Sequence, residues 1–132
     1  MYSYATLGSN DIKSSKAFYD AVFAPLNIVC RYSYDDALAY GLAESKVPGL
    51  WIVPPFDKRA ASVGNGAMLA FDAPSVDAVN GFYAAALAHG GSDEGAPGYR
   101  EHYSPDFYAA YVRDPLGNKL CAVFRDPSRA VK

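Results

Sequence analysis

Apolar and polar positions alternate along this chain with two different periods. Across residues 12–24, Phe18, Tyr19, Val22 and Phe23 recur at helical spacing, and Leu26 extends the stripe. Across 76–89, Val79, Phe82, Tyr83, Ala86 and Leu87 fall at i, i+3, i+4, i+7 and i+8 of one face. Asp11 and Ser75 stand just before these stretches, where a short polar side chain caps a helix start. Pro25 stops the first helix and Gly90-Gly91 the second. His89, in the last turn, reads as a surface residue that complements the helix dipole. The remaining apolar runs are short and strand-like: 4–7, 28–34, 37–42 and 50–53, then 68–71, 91–96, 108–113 and 119–124. Asp35-Asp36 and Asp114-Pro115-Leu116-Gly117-Asn118 mark tight turns.

These elements repeat. Phe18-Tyr19 and Phe82-Tyr83 lie 64 residues apart, and the same offset places Tyr4-Ala5-Thr6-Leu7 on Met68-Leu69-Ala70-Phe71 and Asp11-Ile12 on Ser75-Val76. Each half reads strand, helix, strand, strand, strand. The 132 residues therefore form a single α+β domain of two βαβββ units, 1–55 and 67–126, joined by a connector at 56–66.

Composition narrows the function classes. A net charge of −2, with Lys58-Arg59 as the longest basic run, excludes a nucleic-acid footprint. The most apolar stretch, 50–56, is interrupted by Pro54 and Pro55 and falls far short of the roughly 20 residues a membrane span needs. The N-terminal Met1-Tyr2-Ser3-Tyr4 has no signal-peptide pattern, so a cytoplasmic location is expected. Cys30 and Cys121 lack metal or redox spacing and read as two reduced, buried thiols. Tyrosine is abundant, at 11 residues; its apolar face and polar tip suit a pocket wall as well as half-buried strands.

The tandem repeat, the opening Leu7-Gly8-Ser9-Asn10-Asp11-Ile12 with Ser15 and Phe18-Tyr19, and the closing Asp114-Pro115-Leu116-Gly117-Asn118-Lys119 hairpin resemble the vicinal oxygen chelate superfamily. Glyoxalase I, bleomycin-resistance proteins and extradiol dioxygenases share that fold. The resemblance covers nearly the whole chain. It implies a curved, mostly antiparallel mixed sheet with helices on its convex side, and a homodimer. It also implies four inward positions, from the first and last strands of each unit, where metal-using members carry His or Glu. In this chain those positions are Tyr4, Met68, Trp51 and Cys121. A phenol, a thioether and an indole are poor partners for a hard or borderline divalent ion, and one thiolate does not make a site. No metal and no cofactor are expected.

Strand alternation then lines the hollow with Tyr4, Thr6, Trp51, Met68 and Cys121. His102, on the loop around Tyr99 to Pro105, is a further candidate for ligand binding and, with Cys121, for catalysis. Arg100 and Glu101 read as a solvated face. Such a hollow fits an apolar or aromatic small molecule held by burial, without the family's metal. Two other readings stay open. One is a lyase, isomerase or dioxygenase with an unconventional metal or metal-free site, using His102 with Glu44, Glu101 or Asp106. The other is an interaction module whose interior is simply filled.

Overall fold

The computed structural model describes residues 1–129. The chain runs β1 (Ala5–Gly8), α1 (Ile12–Phe23), β2 (Ile28–Tyr34), β3 (Ala37–Leu42), β4 (Leu50–Val53), β5 (Leu69–Asp72), α2 (Val76–Ala88), β6 (Ser92–Tyr99), β7 (Phe107–Arg113) and β8 (Lys119–Arg125). Two four-stranded sheets result, ordered β1-β4-β3-β2 and β5-β8-β7-β6. In each, the first and last strands pair in parallel and the others antiparallel. The fold is α+β with two βαβββ modules, as the repeat predicts.

Local chemistry sets the helix ends. The Asp11 carboxylate accepts the Ser14 N–H at 3.2 Å, and Ser75 Oγ accepts the Ala78 N–H at 3.0 Å. Hydrogen bonds from Ser14 hold the Asp11 carboxyl below its ordinary value. Helix α1 ends one residue earlier than its apolar stripe predicts. The chain tightens there into a 3-10 turn over Ala24–Leu26, closed by Asn27 at φ 59°. Strand β6 is longer than predicted, because its register shifts on either side of Gly95 and hides the alternation.

One core serves both modules. Phe18, Tyr19, Phe23 and Phe82 from the helices pack on Tyr40, Ile52, Val112 and Leu120 from the sheets, all at most 1% exposed. Phe23 touches Tyr40 at 5.2 Å in the first module and Phe71 at 5.0 Å in the second. The 114–118 turn clasps the modules together: Tyr19 Oη donates to Asp114 Oδ2 at 2.6 Å, and Asn118 Nδ2 donates to the Gly8 carbonyl at 3.0 Å. Cys30 departs from expectation. It is half-buried, with its thiol donating to the Tyr32 carbonyl, because β2 lies at a sheet edge. No helix among the described residues is long and apolar enough to cross a membrane.

Candidate functional site on the open sheet face

Both helices pack on one side of the sheets, which leaves the other face open. Ala5, Leu7, Leu50, Ile52, Leu69, Phe71, Leu120 and Ala122 point to the core. By alternation, Thr6, Trp51, Ala70 and Cys121 point away from it. Register places Thr6 beside Trp51, Trp51 beside Ala39, and Ala39 beside Tyr32. In the second sheet the matching row is Ala70, Cys121, Tyr111 and Gly95.

The first sheet carries an aromatic ladder. Tyr34 and Tyr32 stack at 6.2 Å with 8° between their planes, and Tyr32 and Trp51 at 6.1 Å with 12°. Tyr32 is 45% exposed and Tyr34 55%. Ala39, the register partner of both Tyr32 and Trp51, and Ala37, the partner of Tyr34, put only small side chains between these rings' strands. A β-bulge makes this arrangement possible. Ile28 and Cys30 face the core, so strict alternation would send Tyr32 and Tyr34 there too. The register slips between Cys30 and Tyr32, and both rings turn to the open face. Arg31 pins the bulge by donating to the Leu42 and Ala43 carbonyls at 2.8 and 2.6 Å.

The open face of the second sheet is more closely filled. Ala109, Cys121 and Val123 form a small buried cluster with Phe107 and Tyr111 packed against it. Arg100 lies over the Tyr111 ring at 5.4 Å and Lys119 at 5.7 Å. Arg100 is therefore no part of a solvated face: it is half-buried, and it also donates to the Gly98 and Ala96 carbonyls at 2.9 and 2.7 Å. Glu101 keeps its exposed position and pairs with Arg129.

Burial pushes the Cys121 thiol up to about 11. The folded protein therefore holds this proton more tightly than the unfolded chain. Its contribution to stability is complete below pH ~9 and is lost as pH rises through the window up to about 11. At pH 8 a thiol reagent should modify Cys30 first and reach Cys121 only on unfolding; mass spectrometry of the timed reaction reads the order. Rapid native labelling of Cys121 would show that its cover is absent.

The other predicted site residues are distributed as follows. Tyr4 and Met68 line one opening of about 510 Å³ between β1 and β5. Thr6 and Met68 share a second cleft, of about 260 Å³, with Lys119. Trp51 belongs to the ladder, and Cys121 lies under the cover of the second sheet. His102 is exposed on the loop between β6 and β7, 4.2 Å from the Tyr103 ring. Sequence reasoning passes over Tyr32, Tyr34 and Tyr111 as site residues and reads Arg100 as solvated. Only the i, i+2 spacing of the two β2 tyrosines signalled a shared face.

Among the described residues, no three His, Cys, Asp or Glu side chains gather closely enough to hold a metal ion. The positions that the resemblance assigns to metal ligands hold Tyr4, Trp51, Met68 and Cys121, and of these only Cys121 is a good donor. Its thiol stays protonated at neutral pH. This donor set does not fit the metal.

No family model matches the chain, and no curated protein does. Solved structures do match. A glyoxalase/bleomycin resistance protein from Albidiferax ferrireducens is 38% identical, with a TM-score of 0.83, over 95% of this chain and 98% of that one. A glyoxalase/bleomycin resistance protein/dioxygenase family enzyme from Burkholderia phytofirmans is 18% identical, with a TM-score of 0.69, over 93% and 97%. A fosfomycin resistance protein from Listeria monocytogenes is 15% identical, with a TM-score of 0.67, over 99% and 98%. The two more distant structures share the fold. The first, at its identity and coverage, settles more: the chain belongs to the glyoxalase/bleomycin resistance protein family of the vicinal oxygen chelate superfamily.

Proposed function

We propose that this protein binds a planar aromatic small molecule on the open face of its first sheet, without the metal that many members of its family use. The observation that carries this reading is the stacked, half-exposed ladder of Tyr34, Tyr32 and Trp51. Rings parallel within 12° and partly exposed offer π faces against which another flat ring gains both burial and stacking. Three rings held parallel by a bulged strand lose little freedom on binding, so less of the gain is spent on ordering. The donor set at the family's metal positions supports the metal-free part of the reading. A second copy of the chain would cover the fully exposed Phe56 and the edges of β1 and β5, which carry no strand partner among the described residues.

A neutral two-ring probe, 2-naphthylethanol, tests the proposal. Calorimetric titration should give saturable binding to the wild-type protein. Tyr32→Ala, which removes the middle ring, should weaken it by about tenfold, or ~1.4 kcal/mol. Equal affinity in the two proteins would contradict the ladder as the binding surface.

A further inference from the structure

Two asparagines in this chain stand directly before a glycine: Asn65 in the connector and Asn80 in α2. That pairing has a chemistry of its own. The backbone nitrogen after an asparagine can attack the carbon of the side-chain amide. Glycine opposes the attack least, because it has no Cβ and rotates freely. The fold decides whether the two groups meet, and it holds these two sites in opposite ways.

Asn65 and Gly66 form an exposed turn between the modules. One backbone bond closes it, from the Ala67 N–H to the Gly64 carbonyl at 3.2 Å. Neither the Asn65 side-chain amide nor the Gly66 N–H is hydrogen-bonded to another group among the described residues. Gly66 adopts φ 95°, and no atom lies within 4 Å of the place its Cβ would occupy. Nucleophile and amide are therefore both uncovered and untethered. The chain on either side is fixed: Asn10 exchanges two hydrogen bonds with the Ala61 backbone, at 3.1 and 2.7 Å, and β5 begins at Leu69.

Asn80 is exposed too, but it is tied down. Its Oδ1 accepts the Tyr108 hydroxyl at 2.7 Å, and Gly81 packs towards Pro25, whose Cγ lies 3.2 Å from the Cβ position. Gly81 lies inside α2, where the helix binds its N–H to the carbonyl four residues back. Its nitrogen is released only when the helix opens locally.

We propose that Asn65 is a site of spontaneous deamidation, which converts the connector at this point to an aspartyl or isoaspartyl link. The Gly66 nitrogen gives its proton to solvent base and bonds to Asn65 Cγ. The Cγ–Nδ2 bond breaks, ammonia leaves, and a succinimide ring is formed. Water then adds to one ring carbonyl and the C–N bond there breaks. Cleavage at Cγ leaves an aspartyl residue; cleavage at the backbone carbonyl leaves an isoaspartyl residue. Either product adds a carboxylate to a chain whose net charge is −2. The isoaspartyl form also inserts a carbon into the backbone between the Asn10 anchor and β5.

Incubation of the full-length protein in heavy-oxygen water at mildly alkaline pH, followed by peptide mass spectrometry, reads both sites at once. Each hydrolysis leaves a heavy oxygen at the modified residue, which separates it from conversion during digestion. In the folded protein Asn65 should convert about tenfold faster than Asn80, or more, since only Asn80 waits on helix opening. In guanidinium, where both Asn-Gly pairs are open chain, the two rates should converge. Asn65→Gln, whose longer side chain closes the ring poorly, should abolish the label at this position and the acidic band it produces on isoelectric focusing. Equal rates at the two sites in the folded protein would overturn the proposal. So would an Asn65 rate about tenfold lower in the folded than in the unfolded protein, because the turn would then be keeping the Gly66 nitrogen out of reach.

Discussion

Replacing Asp114 by alanine is expected to cost about 3–5 kcal/mol of stability, since each buried donor left without an acceptor costs roughly 1–3 kcal/mol. This carboxylate is only 5% exposed and makes five hydrogen bonds. Its Oδ1 accepts the backbone N–H groups of Leu116, Gly117 and Asn118 at 3.0, 2.9 and 2.8 Å, which forms the β7–β8 turn. Its Oδ2 accepts from Tyr19 Oη at 2.6 Å and Asn118 Nδ2 at 2.9 Å, which fastens that turn to α1 of the other module. Alanine would leave the Tyr19 hydroxyl buried without its acceptor and free Asn118 to release Gly8. Tyr19→Phe removes one of the five bonds and should cost less, about 1.5–3 kcal/mol. Urea unfolding of both variants measures the difference. A loss below ~1 kcal/mol for Asp114→Ala would show that the clasp does not hold the modules together.

The second large effect is expected at Gly91. An added Cβ there would lie 2.6 Å from the Arg113 carbonyl oxygen, 2.6 Å from Phe18 Cε1 and 2.8 Å from the Ala86 carbonyl oxygen. Two of these are backbone atoms that cannot rotate aside, so the end of α2 must move away from β7 and from the core. Overpacking of this kind costs about 1–3 kcal/mol, and the immovable contacts put Gly91→Ala at the upper end. The neighbouring Gly90 adopts φ 94° with its nearest contact a Pro115 side-chain carbon at 3.6 Å. Gly90→Ala is penalised by backbone conformation alone, about 1 kcal/mol. Thermal unfolding should rank Gly91→Ala below Gly90→Ala; the reverse order would mean that the helix end has room to adjust.

The two glycines show what was legible in the sequence. Gly90-Gly91 reads as a helix stop, and it is one, but only the packed structure shows that the second glycine is required by close approach. The fold was legible because its signals are local and repeated: capping residues, apolar stripes and turn motifs recur at fixed offsets in both halves. Alternation likewise turned Trp51 and Cys121 away from the helices, since β4 and β8 are regular strands. It failed on β2. A single slipped residue inverted the facing of Tyr32 and Tyr34, and nothing in Cys30-Arg31-Tyr32 announces a bulge. Arg100 was misread for a different reason: a charged residue on a loop looks solvated until a ring, Tyr111, is found beneath it.

Family membership leaves open what the open face holds, and Trp51 offers a direct probe of it. It is the sole tryptophan, so its indole N–H gives one unambiguous cross-peak in a proton–nitrogen correlation spectrum. Titration with 2-naphthylethanol should move that peak saturably, together with the amides of Tyr32 and Tyr34. An indole peak that stays fixed while amides elsewhere shift would place the ligand away from the ladder and contradict the account.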